Sequence, residues 1–397
     1  MPGRIILGLG GTVDYELHWQ TGALQALVDE CRIRLAELED EPPAVAHGTR
    51  EMVLAILRSM RHGRGWECYA ADRPALIDLA GRFERSTTLG GTCVRAALAL
   101  ARLGVPSTVH LVSMSPEVRR LLPPKVERLC SAAQDSLDPH VIVQYPRGAQ
   151  LRLVDGTVRS SRPNRVILVN DEPNEHMLLA PGLARAVGRA RAVLISGLNT
   201  MKSQAELRER LTELERILAG APGDVIYEDA GFHDEAMRQV VLSAMPRMVW
   251  AHSLNEDEAQ HYLGRSVNLE DPGQVVSMMR DLLALLGSPA VMVHTSGYAA
   301  VVGRDAQRLH RAAEFGCLMA STRYLHGDAH GRAEYEAVRR AGRDPRGLDL
   351  ARDPAISRAG VLIAPSFAVR PDSPTTIGLG DAFIGGVMGS LAGAEGL

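Results

Sequence analysis

The chain has 397 residues and a formal net charge of −3; 46% of its residues are hydrophobic and 4% aromatic. That length suits one large α/β domain with a smaller lobe, and the core is expected to be aliphatic. The charge gives no electrostatic ground for a nucleic acid or an anionic membrane surface as partner, and no apolar run reaches membrane-spanning length.

Five cysteines, Cys31, Cys68, Cys93, Cys130 and Cys317, are scattered without a CxxC pair. This reads as reduced thiols in a soluble, cytoplasmic protein. Positive charge is carried almost wholly by arginine, with Lys125 and Lys202 the only lysines.

In chain order, Arg4 to Leu9 is a buried strand ending in glycines, and residues from Trp19 to Arg61 have helical spacing. A helix from Gly90 ends at Gly104-Val105-Pro106. A strand from Thr108 to Val112 follows, then a helical stretch to Ala133. The next block has a different texture: His140 to Tyr145, Leu151 to Val154 and Arg165 to Val169 are β-rich runs parted by short turns, which predicts antiparallel pairing.

From Ala192 the rhythm becomes strand–helix alternation, with strands at Ala192 to Ile195, Val225 to Glu228, Met248 to Ala251, Ala290 to His294 and Ala299 to Val302. Such alternation specifies a parallel sheet with crossover helices. Gly327 to Arg358 reads as an exposed helix with loops, and Val361 to Ala364 as a last strand. The expected division is a large α/β domain of residues 1–15, 86–137 and 186–397, with residues 16–85 and 138–185 forming a mixed lid lobe over it.

Chemistry is signalled first by Thr376-Ile377-Gly378-Leu379-Gly380-Asp381, which opens an apolar, small-residue helix. A helix start offers free backbone N–H groups to an anion. Beside a phosphate, Asp381 is electrostatically misplaced unless it accepts a proton; its plainer role is an N-cap.

Asn255-Glu256-Asp257-Glu258 sets Asn255 and Glu258 around one helical turn. Glu258 there, and Glu228 at a strand end, are candidates to hold a hydrated magnesium ion; an acidic first turn also simply suits the helix dipole. Gly90-Gly91 before a helix permits close approach of a polyhydroxylated ligand. Asp14, after Gly10-Gly11, can accept hydrogen bonds from sugar hydroxyls. Arg165 on a lid strand can reach a phosphate, although a lone arginine is by default solvated surface.

Two other motifs fail. Gly8-Leu9-Gly10 lacks the third glycine of a dinucleotide fingerprint, which falls on Val13. Gly197 to Ser203 has Met201 where a P-loop needs glycine.

Taken together, Val13-Asp14, Leu89-Gly90-Gly91, Asn164-Arg165, Ser196-Gly197-Leu198, Glu228, Ser253 to Glu258, Val293-His294-Thr295 with Gly297-Tyr298, and Thr376 to Asp381 resemble the ADP-dependent glucokinase and phosphofructokinase family, a branch of the ribokinase superfamily. The resemblance implies a ribokinase-like parallel sheet flanked by helices, and transfer of the ADP β-phosphoryl to a sugar or sugar-phosphate hydroxyl with Mg2+, releasing AMP.

It further implies Asp381 as general base, with Gly378, Leu379 and Gly380 around the migrating phosphoryl and Asn255 on the nucleotide. Arg165 would clamp the phosphates, Glu228 and Glu258 would organise the metal's waters, and Asp14, Thr12, Gly90 and Gly91 would bind the sugar. Thr12 stands where the family carries asparagine, and Ser253-Leu254 lack its usual glycine.

The expected partners are small molecules alone, with the chain a monomer or small homo-oligomer. The competing readings are an ATP-using ribokinase-like sugar or nucleoside kinase, and a non-catalytic sensor on a kinase scaffold. His294 is expected to be a core histidine.

Overall fold

A computed structural model describes residues 4–232, 234–371 and 378–394 of the chain. Strand β1 (Ile5–Leu7) runs through a glycine turn into β2 (Thr12–Leu17). Then come β3 (Val45–Ala46), β4 (Trp66–Ala70), β5 (Arg85–Gly90), β6 (Ser107–Leu111) and β7 (Val126–Cys130). Next are β8 (Pro139–Tyr145), the hairpin β9 (Gln150–Arg152) and β10 (Thr157–Arg159), and β11 (Asn164–Val169). The alternating half supplies β12 (Ala192–Ile195), β13 (Asp224–Glu228), β14 (Ala251–Asn255), β15 (Ala290–His294), β16 (Tyr298–Gly303) and β17 (Leu362–Pro365).

The described residues form a nine-stranded sheet ordered β17-β16-β15-β14-β13-β12-β1-β6-β7, in which β16 alone runs against the other strands. Its central strands are apolar throughout because helices cover both faces; Ala192–Ile195 is buried at every position. The helix Gln204–Leu218 shows how the cover forms. Leu207, Leu211, Leu214 and Leu218 recur at helical spacing and are buried, and the Ser203 side chain caps its start through the Glu206 N–H.

A second, six-stranded sheet has the order β3-β4-β11-β8-β2-β5. Its pairing is mixed. β8 is antiparallel to β11 but parallel to β2, and β4 is parallel to β11. Helix Thr49–His62 packs on one face of this sheet.

Several sequence expectations need correction. β2 crosses the boundary set at residues 15 and 16, and β5 extends to Gly90, so Thr12, Asp14 and Gly90 lie on the smaller sheet. Beyond β11, helix Leu183–Val187 packs into the core of the large sheet, not into the lid. The helical stretch to Ala133 is a short helix, Pro116–Leu121, followed by β7, because Pro123-Pro124 stops the helix.

The Trp19 to Arg61 region is two helices, Thr21–Cys31 and Thr49–His62, separated by a 3-10 turn and β3. The strand expected at Met248 to Ala251 is shifted to Ala251–Asn255, and Met248 to Trp250 are buried ahead of it. Residues 327–358 form three helices that bury Tyr335, Val338, Leu350 and Ile356, so this segment belongs to the core as much as to the surface.

The helix Leu379–Leu391 is the keystone of the body. It passes between helix Thr92–Arg102 and the long helix Ala306–His326, and nearly every residue from Ala382 to Leu391 is buried. Such contact needs small residues. A Cβ on Gly386 would stand 2.5 Å from the Phe315 carbonyl oxygen, and one on Gly385 3.0 Å from that of Ala96. Gly386→Ala is therefore expected to destabilise the fold by about 1–3 kcal/mol, as overpacking does, measurable by urea denaturation.

Candidate active site

The strand-end acids converge because parallel strands share a carboxyl edge. Glu228 closes β13, Asn255 closes β14 opposite His294 of β15, and the start of helix Leu379–Leu391 lies at the same edge. From the other side β2 and β5 bring Thr12, Asp14 and Gly90 to it.

Thr12 and Asp14 alternate along β2 and so share a face. Asp14 is 4% exposed. Thr12 Oγ1 donates to its Oδ1 at 2.6 Å, and Arg95 Nη2 donates to its Oδ2 at 2.8 Å. Gly90 lies directly opposite Thr12, and any Cβ there would overlap both the Thr12 hydroxyl and the Asp14 carboxylate. Gly91 caps helix Thr92–Arg102, which places Arg95 on its first turn.

Arg95 links the parts of the site. Besides Asp14, its Nε lies 3.9 Å from Asp381 Oδ2, and its Nη1 would be 3.0 Å from a Cβ at Gly378. The Asp381 side chain is 22% exposed. Burial raises its pKa above the ordinary aspartate value; Arg95, a hydrogen bond from Thr92 and the more distant Arg323 pull it down, and Glu228 pushes it up. Asp381 is not an N-cap. The cap is Gly378 in the left-handed region at φ 71, and Asp381 is the third helical residue. The N–H groups of this first turn have no acceptor within the helix.

Glu228 is 5% exposed. Its Oε1 is 2.9 Å from His294 Nε2, while its Oε2 is buried with no partner among the described residues. Although burial works the other way, the Glu228 charge raises the His294 pKa, as do hydrogen bonding to it and the charge of Glu258. His294 is thus mostly buried and hydrogen-bonded, but its partner is a site carboxylate. Its ring lies 4.8 Å from that of Phe383 and against Gly380.

Glu258 closes a capping box. Its Oε2 accepts from the Asn255 N–H at 2.9 Å, and Asn255 Oδ1 accepts from the N–H groups of Asp257 and Glu258. Burial, then the charges of Asp229 and Glu228, push its pKa up to about 7 against the Asn255 hydrogen bond.

Residues 3–344 match the conserved region of the ADP-specific phosphofructokinases and glucokinases. The chain belongs to this ADP-specific phosphofructokinase/glucokinase family. It is accordingly an ADP-dependent carbohydrate kinase. The fold is that of a phosphofructokinase from Pyrococcus horikoshii OT3 solved with AMP, with a TM-score of 0.79 at 16% identity, covering 100% of this chain and 99% of that one.

A reconstructed last common ancestor of ADP-dependent phosphofructokinases from Methanosarcinales gives a TM-score of 0.75 at 16% identity, covering 99% and 94%. An ADP-dependent kinase in complex with fructose 6-phosphate and ADPβS gives 0.72 at 15% identity, also covering 99% and 94%. No curated protein matches the chain. The family match ends before Asp381, so the chemistry of this kinase's glycine turn rests on the turn's own geometry.

The structure brings Thr12, Asp14, Gly90, Gly91, Gly378, Gly380 and Asp381 together, with Glu228 close by. Asn255 and Glu258 stand at the same sheet edge, but the Asn255 side-chain oxygen is committed to the cap. Arg165 is placed elsewhere. It pairs with Gln144 of β8, just past Leu17 of β2, which puts it about 13 Å along the sheet from the level of Asp14 and across an intervening strand. Thr376 and Ile377 lie outside the described residues.

Two residues escape a motif reading. Arg95 follows the glycine pair by one helical turn, the i+4 spacing that could have flagged it. Asp229, wholly buried, takes hydrogen bonds from Tyr227 and Tyr262 and pairs with His252 at 3.0 Å, anchoring the end of β13. No single-residue signal marks it.

Proposed function

We propose that this carbohydrate kinase transfers the β-phosphoryl of ADP to a hydroxyl of a sugar or sugar phosphate, releasing AMP, with Asp381 as general base. The observation that carries this reading is Arg95 joining Asp14 to Asp381 beside the first-turn N–H groups that have no acceptor within the Leu379–Leu391 helix. Asp14, braced by Thr12, orients the acceptor's hydroxyls. Asp381 takes the proton of the attacking hydroxyl, and the helix start faces the charge of the migrating phosphoryl. Arg95 keeps the Asp14 and Asp381 carboxylates from repelling each other and holds Asp381 toward its ionised, basic form.

Magnesium fits the acids present. Glu228 offers a buried oxygen without a protein partner, and Glu258 carries a carboxyl whose charge is disfavoured until a cation neutralises it. No cluster of three or more His, Cys, Asp or Glu among the described residues is set to cage a metal, so the ion would be held by Glu228 and Glu258 through its waters. When bound it would neutralise phosphate charge.

The pH dependence has a definite sign. A carboxyl whose folded pKa is raised from 4.5 to about 7 makes the metal-free protein less stable as pH rises across that window. The proton also competes with the ion for this carboxylate. The Mg2+ concentration for half-maximal rate is expected to climb roughly tenfold per unit as pH falls below about 7, and in Glu258→Gln this slope should flatten.

A coupled assay offering ADP or ATP to a panel of sugars and sugar phosphates tests the donor. Turnover with ADP is expected, and turnover with ATP alone would overturn the reading.

A further inference from the structure

Glu228 and Glu258, the acids that would hold the ion, come from different elements. Glu228 ends β13, and Glu258 lies in the first turn of helix Glu256–Leu263, which follows β14. Their separation depends on how that helix is held. Its start is pinned by the Asn255 capping box. Of its eight residues only Ala259 is buried, against four leucines in Gln204–Leu218, so packing fixes its axis less firmly.

Asp229 supplies a second fixed point. Its N–H donates to the Ser253 carbonyl at 2.9 Å, which carries the β13–β14 ladder one residue past Glu228. Its side chain therefore projects to the opposite face of the sheet from that of Glu228, where Tyr227 and His252 lie side by side. The carboxylate has no exposed surface. Oδ1 accepts from the Ala230 N–H at 2.8 Å and from the Tyr227 hydroxyl at 3.2 Å. Oδ2 lies 3.0 Å from His252 Nε2 and accepts from the Tyr262 hydroxyl.

Tyr262 stands one helical turn beyond Glu258, on the same side of the helix. Arg238 covers its ring, with the guanidinium carbon 4.5 Å from the centroid. The phenol thus ties the second turn of the helix to the residue beside Glu228. Two attachments, the cap at Asn255 and the hydroxyl of Tyr262, define an axis where one would leave a pivot. This anchorage is electrostatically adverse in the metal-free protein, because burial and then the Asp229 charge push the Glu258 carboxyl toward its neutral form. A neutral polar residue would anchor the strand end without that cost.

We propose that Asp229, acting through Tyr262, is a positioning residue for the divalent cation: it sets the spacing of Glu228 and Glu258 at which the hydrated ion is held. This rests on the reading of those two acids as the groups that hold it. Magnesium demands near-ideal octahedral geometry and keeps its waters, so carboxylates that reach it through those waters must keep a set separation. Groups that orient metal-holding side chains matter for affinity nearly as much as the side chains themselves.

The test titrates Mn2+, which shares magnesium's preference for carboxylate and water oxygens, into the full chain alone and with ADP. Loss of the free-ion EPR signal reads the binding. Tyr262→Phe keeps the ring but loses the hydroxyl that reaches Asp229. Tyr227→Phe removes a hydroxyl from the same carboxylate but joins nothing to the helix. Tyr262→Phe should weaken Mn2+ binding about 10-fold, the lower end for groups that orient metal-holding side chains, while Tyr227→Phe should bind like wild type. Asp229→Asn should weaken binding too, and adding Tyr262→Phe to it should cost little more, because both cut one link.

Unchanged binding in Tyr262→Phe, equal losses in Tyr262→Phe and Tyr227→Phe, or losses that add fully in the double variant would overturn the positioning role. Circular dichroism checks the fold of each variant. Should Tyr262→Phe not fold, Asp229→Asn set against Tyr227→Phe makes the same comparison. Glu258→Gln separates this role from the metal reading beneath it. If Glu258→Gln binds Mn2+ as wild type does, or wild type binds none, the metal reading fails and the positioning role fails with it. If Glu258→Gln is weakened and Tyr262→Phe is not, the metal reading stands and the positioning role alone is overturned.

Discussion

Asp381→Asn is expected to lower kcat about 10²–10⁴-fold, the usual worth of a positioned base, with ADP affinity retained. Asparagine keeps the shape of the side chain and its place on the helix but cannot take a proton. A purely capping residue would cost only about 1 kcal/mol of stability, and Asp381 does not occupy the cap: Gly378 does. The wild-type rate should also fall on the acid side at a pH above the ordinary aspartate range, because burial raises this carboxyl's pKa. The proton must be absent for the base to act, so activity rises with pH through that pKa. Steady-state pH–rate profiles of both proteins measure the magnitude and the sign.

Arg95→Leu is expected to be at least as damaging, by a different route. The Arg95 side chain is 12% exposed and lies between two carboxylates, one of them 6% exposed. Removing one partner of a buried charge pair typically costs about 3–5 kcal/mol, which denaturant melts would show. Catalysis should suffer as well. Without Arg95 the Asp381 pKa climbs further, so the acid limb of any residual activity should move to higher pH. Arg95→Lys should fall between, since a point charge on a flexible stem cannot fork to Asp14 and Asp381 as a guanidinium does. A change in KM for the acceptor with the limb unmoved would assign Arg95 to Asp14 alone.

Much of the body was legible because strand–helix alternation is a local signal: β12, β13 and β15 fall where apolar runs meet turn residues. β14 was displaced because Met248-Val249-Trp250 is as apolar as a strand, yet is buried before the ladder begins. β7 was missed because a short charged strand, Val126–Cys130, follows a real helix with no change in hydrophobicity.

The site was legible where a residue's place along one element is enough, as for Asp381 behind its glycines or Asp14 behind Gly10-Gly11. It was not legible where position depends on pairing. The level of Arg165 is set by its register against β8 and β2, which nothing local encodes. The roles of Arg95 and His294 follow from which carboxylates the folded chain sets beside them, Asp14 and Asp381 for one and Glu228 for the other.

The central claim is that the Gly378–Asp381 turn moves a phosphoryl group from ADP to an acceptor hydroxyl. Phosphorus NMR of the protein with ADP, Mg2+ and fructose 6-phosphate tests it most directly. AMP and a new phosphate ester should grow together in the wild type and fail to appear on the same timescale in Asp381→Asn. Ester formed from ATP while ADP stays intact, or formed by Asp381→Asn at the wild-type rate, would contradict it.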